Sequence, residues 1–293
     1  MIEQRKNNFY RTLGSGESFQ LSIDPTTRAV GSYCDELILN AKEIYDTKSG
    51  KLYCMYSGGI DSELVMEVFL SLGMDITPVI VNLIPDYNPH DLRWAYKYCN
   101  KKNLKPLIIN IDVNKFIQGG EILEIARKAQ TGIYQYLTTM KAALSLDGEI
   151  LLGQDEPYIS PIGDTWYFVE KECWCSWANL YKEKHIQGTS CFLSWSSETL
   201  LAFMLDSTIQ DLGNNRILGK QGSMSSRKFV YEKKFPMPNR EKYTGWEYIE
   251  ETDLFKHENI QAVKDLENIY SGQTLVEYNQ LIKLLTRPND DHH

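Results

Sequence analysis

Four short apolar runs recur between residues 52 and 153: Leu52-Tyr53-Cys54-Met55-Tyr56, then 78–84, 107–111 and 149–153. Helix-forming segments separate them. A strand that is apolar on both faces has to be covered on both, and a parallel sheet with crossover helices does this. The spacing predicts helices over 33–45, with Leu37, Ile38, Ala41 and Ile44 on one face, and over 62–72, 89–102 and 121–146, the last interrupted near Gly132. The expected fold class is therefore α/β.

Outside these runs the texture differs. Residues 18–23 alternate like a short strand that stops at Asp24-Pro25. Beyond Gly153 the chain is rich in tryptophan and tyrosine, and helices are expected over 196–206, 258–270 and 274–285, the last two packing on the sheet. Three parts follow: an N-terminal strand and helix (1–48), an α/β core (49–155), and a C-terminal region with terminal helices (156–291).

Thirty-one Lys and Arg against 39 Asp and Glu give a net charge of −8. That balance argues against a surface that grips nucleic acid throughout, and leaves room for a local basic patch. No run approaches the ~18 apolar residues of a membrane span. Six cysteines in 293 residues do not make a disulfide framework. The chain reads as soluble and cytoplasmic, with no membrane partner.

The segment Tyr56-Ser57-Gly58-Gly59-Ile60-Asp61-Ser62 joins the first apolar strand to a helix. Glycines let a backbone approach a ligand closely, and serine hydroxyls add donors. The following helix aims its positive end at the same spot, which suits a polyphosphate. Asp61 either caps the helix or orients a cation-bound oxygen.

The string S-G-G-x-D-S after an apolar strand resembles the pyrophosphate loop of the N-type ATP pyrophosphatases. That superfamily includes the synthetase domain of asparagine synthetase, NAD synthetase and the 7-cyano-7-deazaguanine synthases. The feel of the chain is closest to the asparagine-synthetase and deazaguanine-synthase kinds. The resemblance implies a Rossmann-like sheet with helices on both faces, extended by a mostly helical or irregular C-terminal region. It implies ATP and Mg²⁺ as cofactors, and cleavage of ATP to AMP and pyrophosphate while a carboxylate or carbonyl is adenylated. Ser57, Gly58, Gly59, Ile60, Asp61 and Ser62 would hold the nucleotide's phosphates, with adenine against Val81, Asn82 and Leu83. Asp155 and Glu156, in Gly153-Gln154-Asp155-Glu156, match a Gly-x-Asp-Glu element whose acids hold Mg²⁺, so the metal set is Asp61, Asp155 and Glu156.

The stretch 216–242 holds eight basic residues against two acidic ones. A departing pyrophosphate needs cations, and Lys220, Lys234, Arg240 and Lys242 are the candidates for that catalytic part. Ile2 stands where glutamine-using relatives carry a cysteine, so nitrogen, if used, would come from separate ammonia, a partner or a substrate amine. The acceptor is a small-molecule or nucleotide-derived substrate. Two other readings stay open: a tRNA-modifying relative, and a nucleotide-binding module without catalysis. Tyr158, Trp166, Tyr167, Trp174, Trp177 and Trp195 either fill a core or line an acceptor site. Glu198 either belongs to a helix start or meets a substrate amine. Cys173, Cys175 and Cys191 read as buried apolar residues, with zinc binding alongside His185 as the lesser alternative.

Overall fold

The computed structural model describes residues 8–11, 19–154, 156–213, 226–240 and 243–287. Its centre is a five-stranded parallel sheet in the order β5-β4-β3-β6-β9. The strands are β3 (Leu52–Met55), β4 (Thr77–Ile84), β5 (Leu107–Asp112), β6 (Glu149–Leu152) and β9 (Gly188–Thr189). The first apolar run, β3, is the middle strand, with Met55 beside Val79 on one flank and Leu152 on the other. The protein has the α/β fold expected from its alternating runs, with the Rossmann-like sheet that the resemblance implies.

Side chains along these strands feed two cores in turn. Leu52 and Cys54 of β3, Ile80 of β4 and Leu151 of β6 enter one. Tyr53, Met55, Val79, Ile150 and Leu152 enter the other. This period-2 division of wholly apolar strands explains why no polar face was visible in the sequence.

Helices α1 (Tyr33–Thr47), α2 (Ile60–Ser71) and α3 (Pro89–Lys101) cover the first core. The short α4 (Val113–Gln118), α5 (Glu121–Ala129), α6 (Tyr134–Ala143) and α7 (Ser176–Lys184) cover the second. Helix α1 begins where the Ser32 hydroxyl accepts from the Asp35 N–H, and buries Tyr33, Leu37, Ala41 and Ile44. The break expected near Gly132 separates α5 from α6. A Cβ on Gly132 would lie 2.4 Å from the Glu267 nitrogen, so the glycine lets α12 (Glu258–Ile269) pack against the break.

The remainder adds a hairpin of β1 (Asn8–Arg11) and β2 (Phe19–Ser22), and an antiparallel sheet in the order β10-β8-β7. The latter contains β7 (Ile159–Ile162), β8 (Thr165–Lys171) and β10 (Gln273–Glu277). Helices α8 (Ser197–Met204), α9 (Ser207–Gly213), α10 (Arg227–Tyr231), α11 (Trp246–Glu250) and α13 (Tyr278–Leu285) complete it. The helix expected over 274–285 thus starts as a strand. Residues 273–277 pair with β8, which lies about a hundred positions earlier, and turn helical only at Tyr278. No helix among the described residues is long and apolar enough to cross a membrane.

Burial has a consequence at high pH. Loss of solvation pushes the phenols of Tyr33, Tyr181 and Tyr231 well above their ordinary 10.0, and the Cys34 thiol up to about 12. These groups stay neutral in the folded chain, but once it unfolds the thiol ionises near 9.0 and the phenols near 10.0. Their contribution to stability is therefore intact below about pH 9 and is lost as pH rises from there, the thiol's first and the phenols' above about pH 10. In an alkaline titration, the last part of the tyrosinate absorbance should appear together with loss of circular dichroism. A completed tyrosinate rise with the dichroism intact would contradict this burial.

Candidate active site

At the end of β3 the Tyr56 N–H donates to the Val79 carbonyl (2.8 Å), and the chain then turns through Ser57-Gly58-Gly59 into α2. Gly58 has φ +77°, and a Cβ there would meet the Asp91 carbonyl at 2.9 Å and the Ala95 nitrogen at 3.1 Å. Glycine is required for both reasons: the backbone angle, and the approach of α3. Gly59 is the N-cap of α2, and its lack of a side chain leaves the helix start without a side-chain cap. The helix's positive end, with its first-turn N–H groups, would favour an anion placed here. The Ser62 hydroxyl donates to the Gly59 carbonyl (3.1 Å) and stands 3.3 Å from the Ser57 hydroxyl.

The carboxyl end of β6 comes right up to this turn. A Cβ on Gly153 would sit 2.4 Å from the Ser62 nitrogen and 2.6 Å from the Asp61 carbonyl carbon. Together these ends form one wall of a cleft lined by Ser57, Gly59, Asp61 and Ser62 at one end, and by Val81, Leu83 and Trp246 elsewhere. Gln135, Thr138 and Thr139 of α6 add polar groups. Its empty space, mouth included, is about 980 Å³. It lies beyond the carboxyl ends of the central strands, the usual ligand edge of an open α/β sheet.

Asp61 does not cap α2. Its carboxylate takes a two-pronged contact from Arg227, with Nε at 2.7 Å and Nη2 at 2.9 Å, and accepts from the Tyr231 hydroxyl at 3.0 Å. Nη1 of the same guanidinium is 3.3 Å from Glu156 Oε1. Burial acts to lower the Arg227 pKa, but the charges of Asp61 and Glu156 outweigh it and hold the guanidinium well above its ordinary value. Two carboxylates thus converge on one cation. Their oxygen donors suit a hard divalent ion, and Asp61 and Glu156 could hold Mg²⁺ once Arg227 moves aside. The third expected ligand, Asp155, lies outside the described residues. Among those described, no group of three or more metal-ligating side chains is assembled.

Arg227 and Tyr231 were not singled out from the sequence. They stand four residues apart on α10, the spacing that puts two side chains on one helix face, and this was the available signal.

The expected adenine edge is arranged differently from expectation. The Asn88 carboxamide donates to the Val81 carbonyl (2.9 Å) and accepts from the Leu83 N–H (2.8 Å), so two backbone groups of β4 are already engaged. Asn88 precedes Pro89 at the start of α3 but spends its side chain on β4 instead of capping the helix. The Asn82 side chain points to Asn110 (2.8 Å), on the neighbouring strand.

The basic candidates separate. Lys234 pairs with Asp35, near the start of α1, and is not part of the cleft lining. Arg240 does reach the loop: Nη1 donates to the Gly58 carbonyl and Nη2 to Glu63, while its Cζ lies 5.5 Å from the centre of the Trp94 ring. Lys220 and Lys242 lie outside the described residues.

Of the aromatic set, Trp166, Trp177 and Trp195 are buried, and Tyr158 meets Trp174 edge-on at 5.8 Å. Glu198 accepts from the Thr27 N–H (2.8 Å) and hydroxyl (2.9 Å), tying an N-terminal turn to α8, whose cap is Ser196. Cys173, Cys175 and Cys191 are buried.

No protein-family profile matches the chain, and no curated protein matches it. Among solved structures it is similar to that titled "Structure of NMN synthetase from Francisella tularensis", at 15% identity and a TM-score of 0.32. The alignment covers 71% of this chain and 97% of that one. The functional reading rests on the chain's own residues.

Proposed function

We propose that the protein is an ATP-dependent ligase that forms AMP and pyrophosphate while activating a carboxylate or carbonyl of a small-molecule or nucleotide-derived substrate. One observation carries the reading: the glycine-capped start of α2, flanked by the Ser57 and Ser62 hydroxyls, opens into a cleft at the carboxyl edge of the parallel sheet. The outer phosphates of ATP lie over Ser57–Ser62, and the adenosine lies along Val81 and Leu83. Mg²⁺, when bound by Asp61 and Glu156, supplies the charge that neutralises the triphosphate. Arg227, held against Asp61 of the loop, replaces Lys234, which pairs with Asp35, as the main basic candidate. Ammonia or a substrate amine then displaces AMP. The motif's likeness to the asparagine-synthetase kind of ATP pyrophosphatase supports the bond that is cleaved and leaves the acceptor to experiment.

The test is incubation with ATP and Mg²⁺ across panels of carboxylates, nucleosides and amines, following AMP and pyrophosphate. Acceptor-dependent release of both is the expected result. ADP with inorganic phosphate would refute the proposed bond cleavage, and tight ATP binding with every acceptor inert would point to a non-catalytic module.

A further inference from the structure

The peptide between Gly58 and Gly59 has glycine on both sides, so little in its own covalent structure opposes a flip of that peptide plane. The two orientations are opposite in consequence. A trans peptide holds its C=O and N–H antiparallel. With the Gly58 carbonyl turned away from the cleft, the Gly59 N–H turns toward it. With the plane reversed, a carbonyl oxygen would face an incoming phosphate.

The structure holds the first orientation from behind. Arg240 donates to the Gly58 carbonyl, and neither Arg240 nor Gly58 is among the residues lining the cleft, whereas Ser57 and Gly59 are. The Gly59 N–H donates to the Ser57 hydroxyl at 3.4 Å, a residue of the cleft lining, so an anion seated there would take over that proton from the serine.

Arg240 is itself fixed. Its other terminal nitrogen bonds Glu63 in the first turn of α2, and Tyr56, at the end of β3, donates to the same Glu63 oxygen at 3.0 Å. The Arg240 and Glu63 side chains are only 4% and 5% exposed. The Trp94 ring lies beside the guanidinium. The strand end before the loop, the helix turn after it and the peptide in its middle therefore share one buried fork.

We infer that Arg240, oriented by Glu63 and Tyr56, is the positioning residue that keeps the Gly58–Gly59 peptide turned so that its N–H faces an anion in the cleft. This rests on reading the cleft as a triphosphate site. Arg240 acts through the loop and does not touch the phosphates. A lysine cannot replace it, because one ammonium does not reproduce the fork that serves Gly58 and Glu63 together.

The experiment compares wild type with Arg240→Lys and with a double variant, Arg240→Met plus Glu63→Gln, which leaves no buried charge unpaired. Two readouts are taken: the amide signal of Gly59 in glycine-labelled protein without ligand, and the affinities for ATP and for adenosine. In both variants the Gly59 signal should shift or broaden. ATP affinity should fall on the order of 10–100-fold, the worth of one or two charge-assisted contacts, while adenosine affinity stays within about twofold. An unchanged Gly59 signal, or equal losses for ATP and adenosine, would overturn the assignment. If wild type binds no ATP, the triphosphate reading fails, and the Gly59 signal still decides whether Arg240 sets the peptide.

Discussion

Replacing Gly153 by valine should lower the melting temperature by several degrees and abolish the AMP and pyrophosphate formation proposed above. The atoms that an added Cβ would strike, the Ser62 nitrogen at 2.4 Å and the Asp61 carbonyl carbon at 2.6 Å, are backbone and cannot rotate away. Either the end of β6 retreats or the first turn of α2 does, and both movements pull the helix start off the cleft. Overpacking of this kind costs roughly 1–3 kcal/mol, and each kcal/mol is worth about 2–4 °C in a chain of a few hundred residues. Alanine should behave similarly with a smaller thermal effect. A valine variant with wild-type melting and turnover would mean that β6 and α2 do not approach this closely.

Breaking the contact between Asp61 and Arg227 is the second large effect. Their side chains are 17% and 14% exposed, so removing one partner leaves a nearly buried charge. Such truncations cost about 3–5 kcal/mol. Asp61→Leu also removes the acceptor of the Tyr231 hydroxyl, and Arg227→Met removes the cation facing Glu156. Urea unfolding should show each single change near that cost. The double change should cost well below their sum, with a coupling of about 2 kcal/mol or more. Additivity within about 0.5 kcal/mol would mean the two groups do not depend on one another. On the proposed function, turnover should be lost in all three, since the phosphate site proposed there includes Asp61 and its Arg227 partner.

The sequence made the sheet legible because its evidence is local. Wholly apolar runs mark buried parallel strands, and the start of α1 and the break before α6 fell where the apolar spacing and a glycine indicated. Ser57–Ser62 was legible for the same reason, as six consecutive residues carry it. What was missed is held by distant pairing. Arg227 meets Asp61 across 166 positions, and Arg240 meets Gly58 across 182, so neither contact leaves a mark on local spacing. Arg240 was expected at the leaving group and instead grips the loop from behind. Asn88 illustrates a local rule overridden: an asparagine before a proline reads as a helix cap, yet its carboxamide serves the neighbouring strand. Gln273–Glu277 was misread because Leu275, Val276, Tyr278 and Leu281 continue a helical-looking pattern, and only β8 decides that the first five residues extend.

That last strand bears on how the chain behaves during synthesis. Until residues 273–277 leave the ribosome, the flank of β8 that they will cover has no hydrogen-bonding neighbour, and its stretch Thr165-Trp166-Tyr167-Phe168-Val169 is strongly β-forming. An unfinished or prematurely stopped polypeptide would present this flank to other copies, an open invitation to edge-to-edge association. Shortened versions ending before position 273 should therefore precipitate more readily than the full-length protein.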